Sequence, residues 1–402
     1  MKLIFKLYQW ILWNIVTRFL FINLYLKRIY KFHLTADSDP IPKPPFLLLS
    51  NHGTFFDPWI IGSYSRYPMG YMTNDDGFTE GIITRWYLKS IGSFPKKKGA
   101  SDFKAMKTTL SLLKRGKPVC IFPEGQSTWD GETQLLYPGI EKLLKRSGCP
   151  LVIVRLRGNF ITKPWWACFK RNGSISVTMN VHSVDKIKSL TNEELFDFIR
   201  KSIYQNDIKD PGNRTVSFTG HHCAEGLERL LWICRRCEAE DTLSMTGDTI
   251  TCNECGGTWH IDAYCRITPS TGNGDGACED LKDWVDFQKE NVRKKIAARP
   301  DVLTHNEHAQ HLQPDLHHRF RPVDEGSLQL SPTTLTYKNA DGESEWPIED
   351  IEEYVIQKKD IFEFRHGSSY HRFIFTGKSP MKWVFYLRYL KGYEICEQQG
   401  HL

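Results

Sequence analysis

Two short blocks hold the residue types that proton transfer requires. The first is Asn51-His52-Gly53-Thr54-Phe55-Phe56-Asp57, and the second, Phe122-Pro123-Glu124-Gly125, places its acid 72 positions after His52. Neutral imidazole is suited to taking a proton near pH 7, a contribution of roughly 10²–10⁴-fold in rate. A carboxylate on the far ring nitrogen fixes the tautomer and stabilises the imidazolium. His52 and Asp57 offer that pair. Five residues at about 100° each leave them roughly 140° apart on a helix. The pair therefore needs His52 in a turn and Asp57 at a helix start. Pro58 follows Asp57, and proline favours the first helical position. The same Asp-Pro step also reads as a plain helix cap. Pro-Glu-Gly after an apolar run reads as a turn, and Gly125 permits close backbone approach there.

In this order and at this separation the blocks resemble the signature of the glycerolipid acyltransferase family, over roughly residues 45–215. The resemblance implies a membrane-associated O-acyltransferase that moves an acyl chain from acyl-CoA or acyl-carrier protein to a lysophospholipid, foremost 1-acyl-glycerol-3-phosphate. It implies His52 as general base and Asp57 as its orienting partner. It implies Asn51, Lys98, Glu124, Gly125, Gln126 and Ser127 as substrate-binding residues. Gly92-Ser93-Phe94-Pro95-Lys96-Lys97-Lys98 is similar to the family's G-x-[IF]-F-[IPV]-x-R, with Lys98 for the final Arg. Charge is kept there, but the bidentate fork is lost. The family's FPEG-x-R-S here reads Phe122-Pro123-Glu124-Gly125-Gln126-Ser127-Thr128. Ser127 thus stands where an Arg would meet the acceptor phosphate. A hydroxyl cannot supply that charge-assisted bond, typically worth about 1.5–3 kcal/mol. Either Lys96–Lys98 compensate or the acceptor is not a simple phosphomonoester. Pro150-Leu151-Val152-Ile153-Val154 is similar to a fourth family element without its second proline. A second reading is a non-catalytic lipid-binding adaptor built on this domain. Ser127 favours it, and the intact His52/Asp57 pair argues against it.

A second constellation is Cys234-x2-Cys237 and Cys252-x2-Cys255, with Thr246-Gly247-Asp248 between them as a hairpin turn. Two such knuckles bring four thiolates to a tetrahedral, structural zinc with no open position. The segment resembles a zinc ribbon. Arg235 and Arg236 are surrounded by Glu238, Glu240, Asp241, Asp248, Glu254 and Asp262. No phosphate-tracking stripe results, so no nucleic-acid partner is expected. The eleven cysteines are an odd count without a disulfide framework, which fits a reducing compartment and a cytoplasmic membrane face.

The elements that must position these residues follow from the apolar pattern. With 402 residues, 40% hydrophobic and 25% charged, the chain reads as globular, with two to three domains. Net charge is +6, but Lys96, Lys97, Lys98, Lys104, Lys107, Lys114, Arg115 and Lys117 crowd one stretch. That suits an anionic phosphate or membrane surface, or simply a solvated helix face. Residues 1–34 are expected to form a membrane-associating amphipathic helix. At 100° per residue Lys2, Lys6, Gln9, Thr17, Lys27 and Lys31 share one polar arc against a wide face of Leu, Ile, Phe, Trp and Tyr. A spanning helix is the alternative.

Residues 35–215 are expected to form the acyltransferase domain. After the proline-rich hinge Asp37–Pro45, strands at Phe46–Ser50, Pro118–Phe122, Leu151–Leu156 and Ser174–Val181 alternate with helices at Asp102–Arg115, Tyr137–Arg146 and Asn192–Tyr204. Thr191 and Glu194 form a capping box for the last helix. The expected fold class is α/β, a mixed sheet flanked by helices, followed by the ribbon (223–267) and a linking helix (279–299). A Gly/Ser/Thr/Asn linker (Thr268–Gly276) and a histidine-rich loop (Pro300–Arg321) join these parts. Short strands with turn signals such as Asn339-Ala340-Asp341-Gly342, then a helix at Met381–Leu390, look like a pleckstrin-homology or GRAM-type domain over 317–395. A protein partner is expected at the ribbon or this last domain, beside membrane lipids and the acyl thioester donor.

Overall fold

The structure, a computed structural model, describes residues 2–74, 78, 81–96, 103–270, 278–314, 320–393 and 396–397. Contacts divide the chain into two compact units. One comprises Met1–Trp165 with Lys170–Thr219, the other Trp166–Phe169 with Gly220–Gly400.

The first unit is built on a mixed seven-stranded sheet. Its strands are β1 (Lys31–Leu34), β2 (Leu47–Ser50), β3 (Gly70–Asn74), β4 (Phe94–Lys96), β5 (Val119–Ile121), β6 (Leu151–Arg157) and β7 (Ser174–His182). Their order is β1-β7-β6-β2-β5-β3-β4. All neighbours run parallel except β6 and β7. β2, Leu-Leu-Leu-Ser, is buried at every position, as a central strand with both faces covered must be. Leu48, Val152 and Val154 point to one core with Trp13, Ile22, Leu26 and Ile61. Leu47, Leu49, Leu151 and Ile153 point to the other with Leu113, Leu144 and Ile199. Period-two alternation therefore serves two helical layers at once.

The helices of this unit start where their chemistry dictates. α1 (Lys2–Ile11) leads into a π-helical stretch (Leu12–Leu26), and α2 (Asp57–Gly62) carries Pro58 in its first turn. α3 (Ile82–Ile91) and α4 (Phe103–Lys114) follow. α5 (Ile140–Ser147) begins after Gly139, three residues later than the pattern predicts, because Tyr137 and Pro138 belong to the turn before it. α6 (Asn159–Thr162) and α7 (Val184–Ser189) are short. α8 (Asn192–Ile203) has the expected capping box, with Thr191 and Glu194 each satisfying the other's backbone N–H.

The N-terminal stretch corrects the helical wheel. Thr17 is buried and its hydroxyl meets Tyr87 Oη at 3.1 Å, while Gln9 donates to the Ser90 carbonyl at 2.7 Å. Gln9 and Thr17 of the polar arc thus turn inward, toward α3, while Lys27 and Lys31 stay exposed. Leu7, Trp10 and Ile11 of α1 are exposed, and along the π-helical stretch the large exposed side chains are Ile15/Val16, Phe19/Leu20 and Leu24/Tyr25. These three pairs recur every four or five residues, as i→i+5 bonding dictates, whereas Leu7, Trp10 and Ile11 keep the α-helical spacing. No helix among the described residues is long and apolar enough to cross a membrane.

The second unit begins with a four-stranded antiparallel sheet of β8 (Leu243–Thr246), β9 (Thr249–Cys252), β10 (Thr258–Ile261) and β11 (Ile267–Pro269). The β8–β9 hairpin turns at Gly247, which has a positive φ of 59°. α9 (Leu281–Ala298) is capped by Asp280 and buries Trp284 against Trp259, ring centres 4.9 Å apart. Seven further strands make one antiparallel sheet. They are β12 (Thr304–Pro314), β13 (Phe320–Leu330), β14 (Thr334–Asn339), β15 (Gly342–Pro347), β16 (Ile351–Gln357), β17 (Ile361–His366) and β18 (Ser369–Phe375). Their order is β15-β14-β13-β12-β18-β17-β16. α10 (Met381–Leu390) closes it, Trp383 stacking on Phe375 at 5.3 Å.

The histidine-rich segment is not a loop. His305, His308 and His311 lie on β12, paired with both β13 and β18. His311 is buried, stacked on Phe373 at 4.8 Å. His317 and His318, and residues 271–276 of the expected linker, lie outside the described residues.

Candidate active site

β2 ends at Ser50, and the chain turns before α2 begins at Asp57. That turn brings His52 Nδ1 to 2.9 Å from Asp57 Oδ2. Asp57 is fully buried, and four more donors converge on it. Oδ2 accepts from the backbone N–H of Gly53 (2.7 Å) and Thr54 (2.9 Å). Oδ1 accepts from the Thr54 hydroxyl (2.8 Å) and Asn159 Nδ2 (3.1 Å). Asp57 does not cap its own helix. It caps the preceding turn and holds the imidazole, so the cap and the orienting partner are one residue. Such full donation offsets the desolvation of a buried carboxylate.

His52 is 18% exposed. One ring face stacks on Phe122, centroids 4.2 Å apart. Nε2, the nitrogen remote from Asp57, has no hydrogen-bond partner among the described residues. The arrangement fixes the tautomer with Nδ1 protonated and leaves Nε2 an acceptor.

The second block supports the first from behind. Glu124 is buried, and Oε1 accepts from the His52 backbone N–H at 2.7 Å while Oε2 accepts from that of Gln134 at 2.6 Å. Burial pushes the Glu124 carboxyl well above the usual range against the pull of those two donors, and Asp57 and Asp130 push it the same way. Both Glu124 oxygens thus hold backbone N–H groups, and the residue also lines the crevice at His52. Asn51 holds backbone as well. Its amide clamps Leu156, donating to the carbonyl and accepting from the N–H, both at 2.8 Å. It ties the end of β2 to β6. Thr128 N–H closes the loop on the His52 carbonyl at 2.9 Å. Gly125 has φ 75°, which a side chain rarely adopts, and a Cβ there would lie 2.6 Å from the Tyr137 ring. Gln126 and Ser127 follow, half-buried. Lys98 lies outside the described residues.

Asn159 has no signal in the sequence. It sits 102 positions from Asp57, after Gly158 at the end of β6, and fills the space a side chain on Gly53 would need, 2.6 Å from that Cβ. Asp207 holds its loop, accepting from Gly158 and Phe160 N–H at 2.8 and 2.9 Å. Burial raises the Asp207 carboxyl to about 6 despite those bonds. A small, partly open crevice lies among His52, Glu124, Thr128, Asn159 and Asp207. Phe122, the ring that stacks on His52, also lines a larger, solvent-open cleft of about 490 Å³ walled by Met72, Met106, Ile121, Ile140 and Leu143, with Lys96 and Tyr137. A proton acceptor beside an apolar cleft can deprotonate a hydroxyl presented by a lipid-like substrate.

In the second unit the four cysteines meet. Cys234 and Cys255 Sγ are 3.7 Å apart, Cys237 and Cys252 Sγ 3.8 Å, and all four lie within 4.8 Å of one another. A zinc tetrahedron with bonds of about 2.3 Å has sulfur–sulfur edges near ~3.8 Å, whereas a disulfide needs about 2.05 Å. The donor set fits zinc.

Residues 33–157, which contain both blocks, match the Acyltransferase family model. A chloroplastic 1-acyl-sn-glycerol-3-phosphate acyltransferase of Brassica napus is 26% identical over 136 residues, 32% of this chain and 39% of that protein. Another, from Arabidopsis thaliana, is 26% identical over 132 residues, 32% of this chain and 36% of that protein. The chain thus spans less than two-fifths of the length of these relatives. The crystal structure of PlsC, the 1-acyl-sn-glycerophosphate acyltransferase from Thermotoga maritima, aligns with a TM-score of 0.39 at 16% identity, over 50% of this chain and 92% of that one. That score alone does not establish a shared fold. The stretch that carries His52, Asp57 and Glu124 is therefore similar in sequence to acyltransferase domains.

Proposed function

We propose that the protein transfers an acyl chain from a thioester, acyl-CoA or acyl-carrier protein, to the free hydroxyl of a lysophospholipid at a membrane surface, foremost 1-acyl-glycerol-3-phosphate. One observation carries the reading: the His52–Asp57 hydrogen bond of 2.9 Å, with Nε2 left for a substrate beside an apolar cleft. His52 Nε2 takes the proton as the acceptor oxygen attacks the thioester carbonyl carbon. The carbon–oxygen bond forms, the carbon–sulfur bond breaks, and the departing thiolate takes the proton from His52. Asp57 holds Nδ1–H throughout. Asn51, Glu124 and Thr128 position the His52 loop, and the cleft takes an apolar chain.

The exposed apolar seam of residues 10–25 supports docking on the cytoplasmic face of a membrane. Ile82 and Ile83 of α3, 87% and 81% exposed, extend the apolar surface. No acidic residue precedes Asp37, so the segment suits anionic lipid. The second unit, with a structural zinc ribbon and a β-sheet closed by one helix in the manner of a pleckstrin-homology or GRAM domain, supplies a surface for a protein partner.

The test is acyl transfer by purified His52→Ala and Asp57→Asn chains against a panel of lysophospholipids and labelled acyl-CoA. His52→Ala should lose roughly 10²–10⁴-fold in kcat with its melting temperature kept. Undiminished turnover would sink the mechanism.

A further inference from the structure

Among the described residues lining the cleft beside Phe122, Lys96 is the one charged side chain. It ends β4, and its ammonium lies over the Tyr137 ring, 4.4 Å from the centre. It also lies 3.0 Å from where a Cβ on Gly125 would be. Gly125 follows Glu124, whose carboxylate holds the backbone of His52. The ammonium is therefore tied through one turn to the loop that carries the base. Apolar walls with a single cation suit an amphiphile with an anionic head. The walls take the chain, and their low polarity strengthens the attraction between ammonium and anion.

Two departures of this sequence meet here. In G-x-[IF]-F-[IPV]-x-R the position of Lys96 is apolar, and in FPEG-x-R-S the position of Ser127 is an Arg. The chain gains a cation in one element and lacks one in the other. The fold sets the gained cation against the turn from which the missing one would extend.

We propose that Lys96 binds the phosphate of a substrate whose apolar chain lies in this cleft, and so makes the site prefer phosphate-bearing over neutral lipid. The inference rests on the acyltransferase reading. The phosphate belongs either to the glycerophosphate of the acceptor or to the coenzyme portion of the donor, and the experiment separates the two.

Wild-type, Lys96→Met and Lys96→Arg chains are compared at full length, with melting temperature as the check on folding. Transfer is measured from acyl-CoA to 1-acyl-glycerol-3-phosphate and to 1-acyl-glycerol, and from acyl-pantetheine, which lacks the donor phosphates. Lys96→Met should raise KM for the phosphate-bearing acceptor by roughly tenfold or more and leave that for 1-acyl-glycerol unchanged, with Lys96→Arg retaining most of the preference. A rise for acyl-CoA without one for acyl-pantetheine places the phosphate on the donor and equally supports the proposal. Unchanged KM for every phosphate-bearing substrate, or an equal loss for bearing and lacking substrates alike, overturns it. Equilibrium binding of decyl phosphate against decyl glucoside, below their micelle concentrations, needs no turnover. Wild type should prefer the phosphate and Lys96→Met should not; the same preference in both chains overturns the proposal. A wild type that prefers decyl phosphate yet transfers no acyl group would count against the acyltransferase reading and leave the Lys96 assignment standing.

Discussion

Asn159 and Thr54 together determine which oxygen of Asp57 the imidazole meets. They occupy Oδ1, leaving Oδ2 to His52 and two backbone donors. Removing Asn159 frees the carboxylate to rotate without touching the base. Asn159→Ala should therefore lower kcat by roughly tenfold while leaving KM for both substrates nearly unchanged. The same space gives a sharper readout. Gly53→Ala puts a methyl 2.6 Å from the Asn159 amide and should cost activity, and Asn159→Ala in the same chain should restore part of it. Additive losses would mean that the two do not share a void. The pairing of His52 with Asp57 was legible because proline marks the helix start and the turn places the histidine before it. Asn159 was not, because a contact across 102 residues leaves no local pattern. Asn51 and Glu124 stood out by type, but type alone does not reveal which backbone groups they hold.

At the scale of elements, the strands of the first sheet were readable as apolar runs, and the hairpins at Gly247 and Gly342 as turn chemistry. β12 was missed because His, Asn, Glu and Gln are weak strand formers, and its two register shifts break the alternation that would have marked it. The ribbon shows how short elements gain rigidity. Glu240, just past the first knuckle, accepts from Lys295 of α9, Thr304 of β12 and Tyr386 of α10. Asp241 pairs with the buried Lys382. If zinc holds the knuckles, it also holds the residues on which these three elements converge. Chelation of the full chain should release one zinc per chain and shift the fluorescence of the buried Trp232, Trp259, Trp284 and Trp383 at temperatures where the untreated protein is folded. Cys252→Ser should do the same without chelator. A chain containing no zinc as isolated, or fluorescence unmoved by its removal, would contradict the assignment.

At the scale of the whole molecule, the proposed docking of the exposed apolar seam on a membrane predicts that the protein partitions between water and lipid. Ile15→Asp with Phe19→Asp should leave the chain in the supernatant when vesicles containing anionic lipid are pelleted, whereas the wild type pellets with them. Salt should weaken the wild-type association only in part, since the apolar contribution is not screened. Equal pelleting of the variant would place the contact elsewhere.

The π-helical stretch has a further mechanical consequence. Side chains that repeat at the helix's own period form a straight line along its axis, whereas a mismatch would wind them round the cylinder. The pairs from Ile15/Val16 to Leu24/Tyr25 make such a line. The segment can therefore rest on a flat surface along its length without rolling, like a keel. Deleting one residue near Thr17 would rotate the front half of the keel against the rear, changing no composition and little hydrophobicity. Only the straightness would be lost.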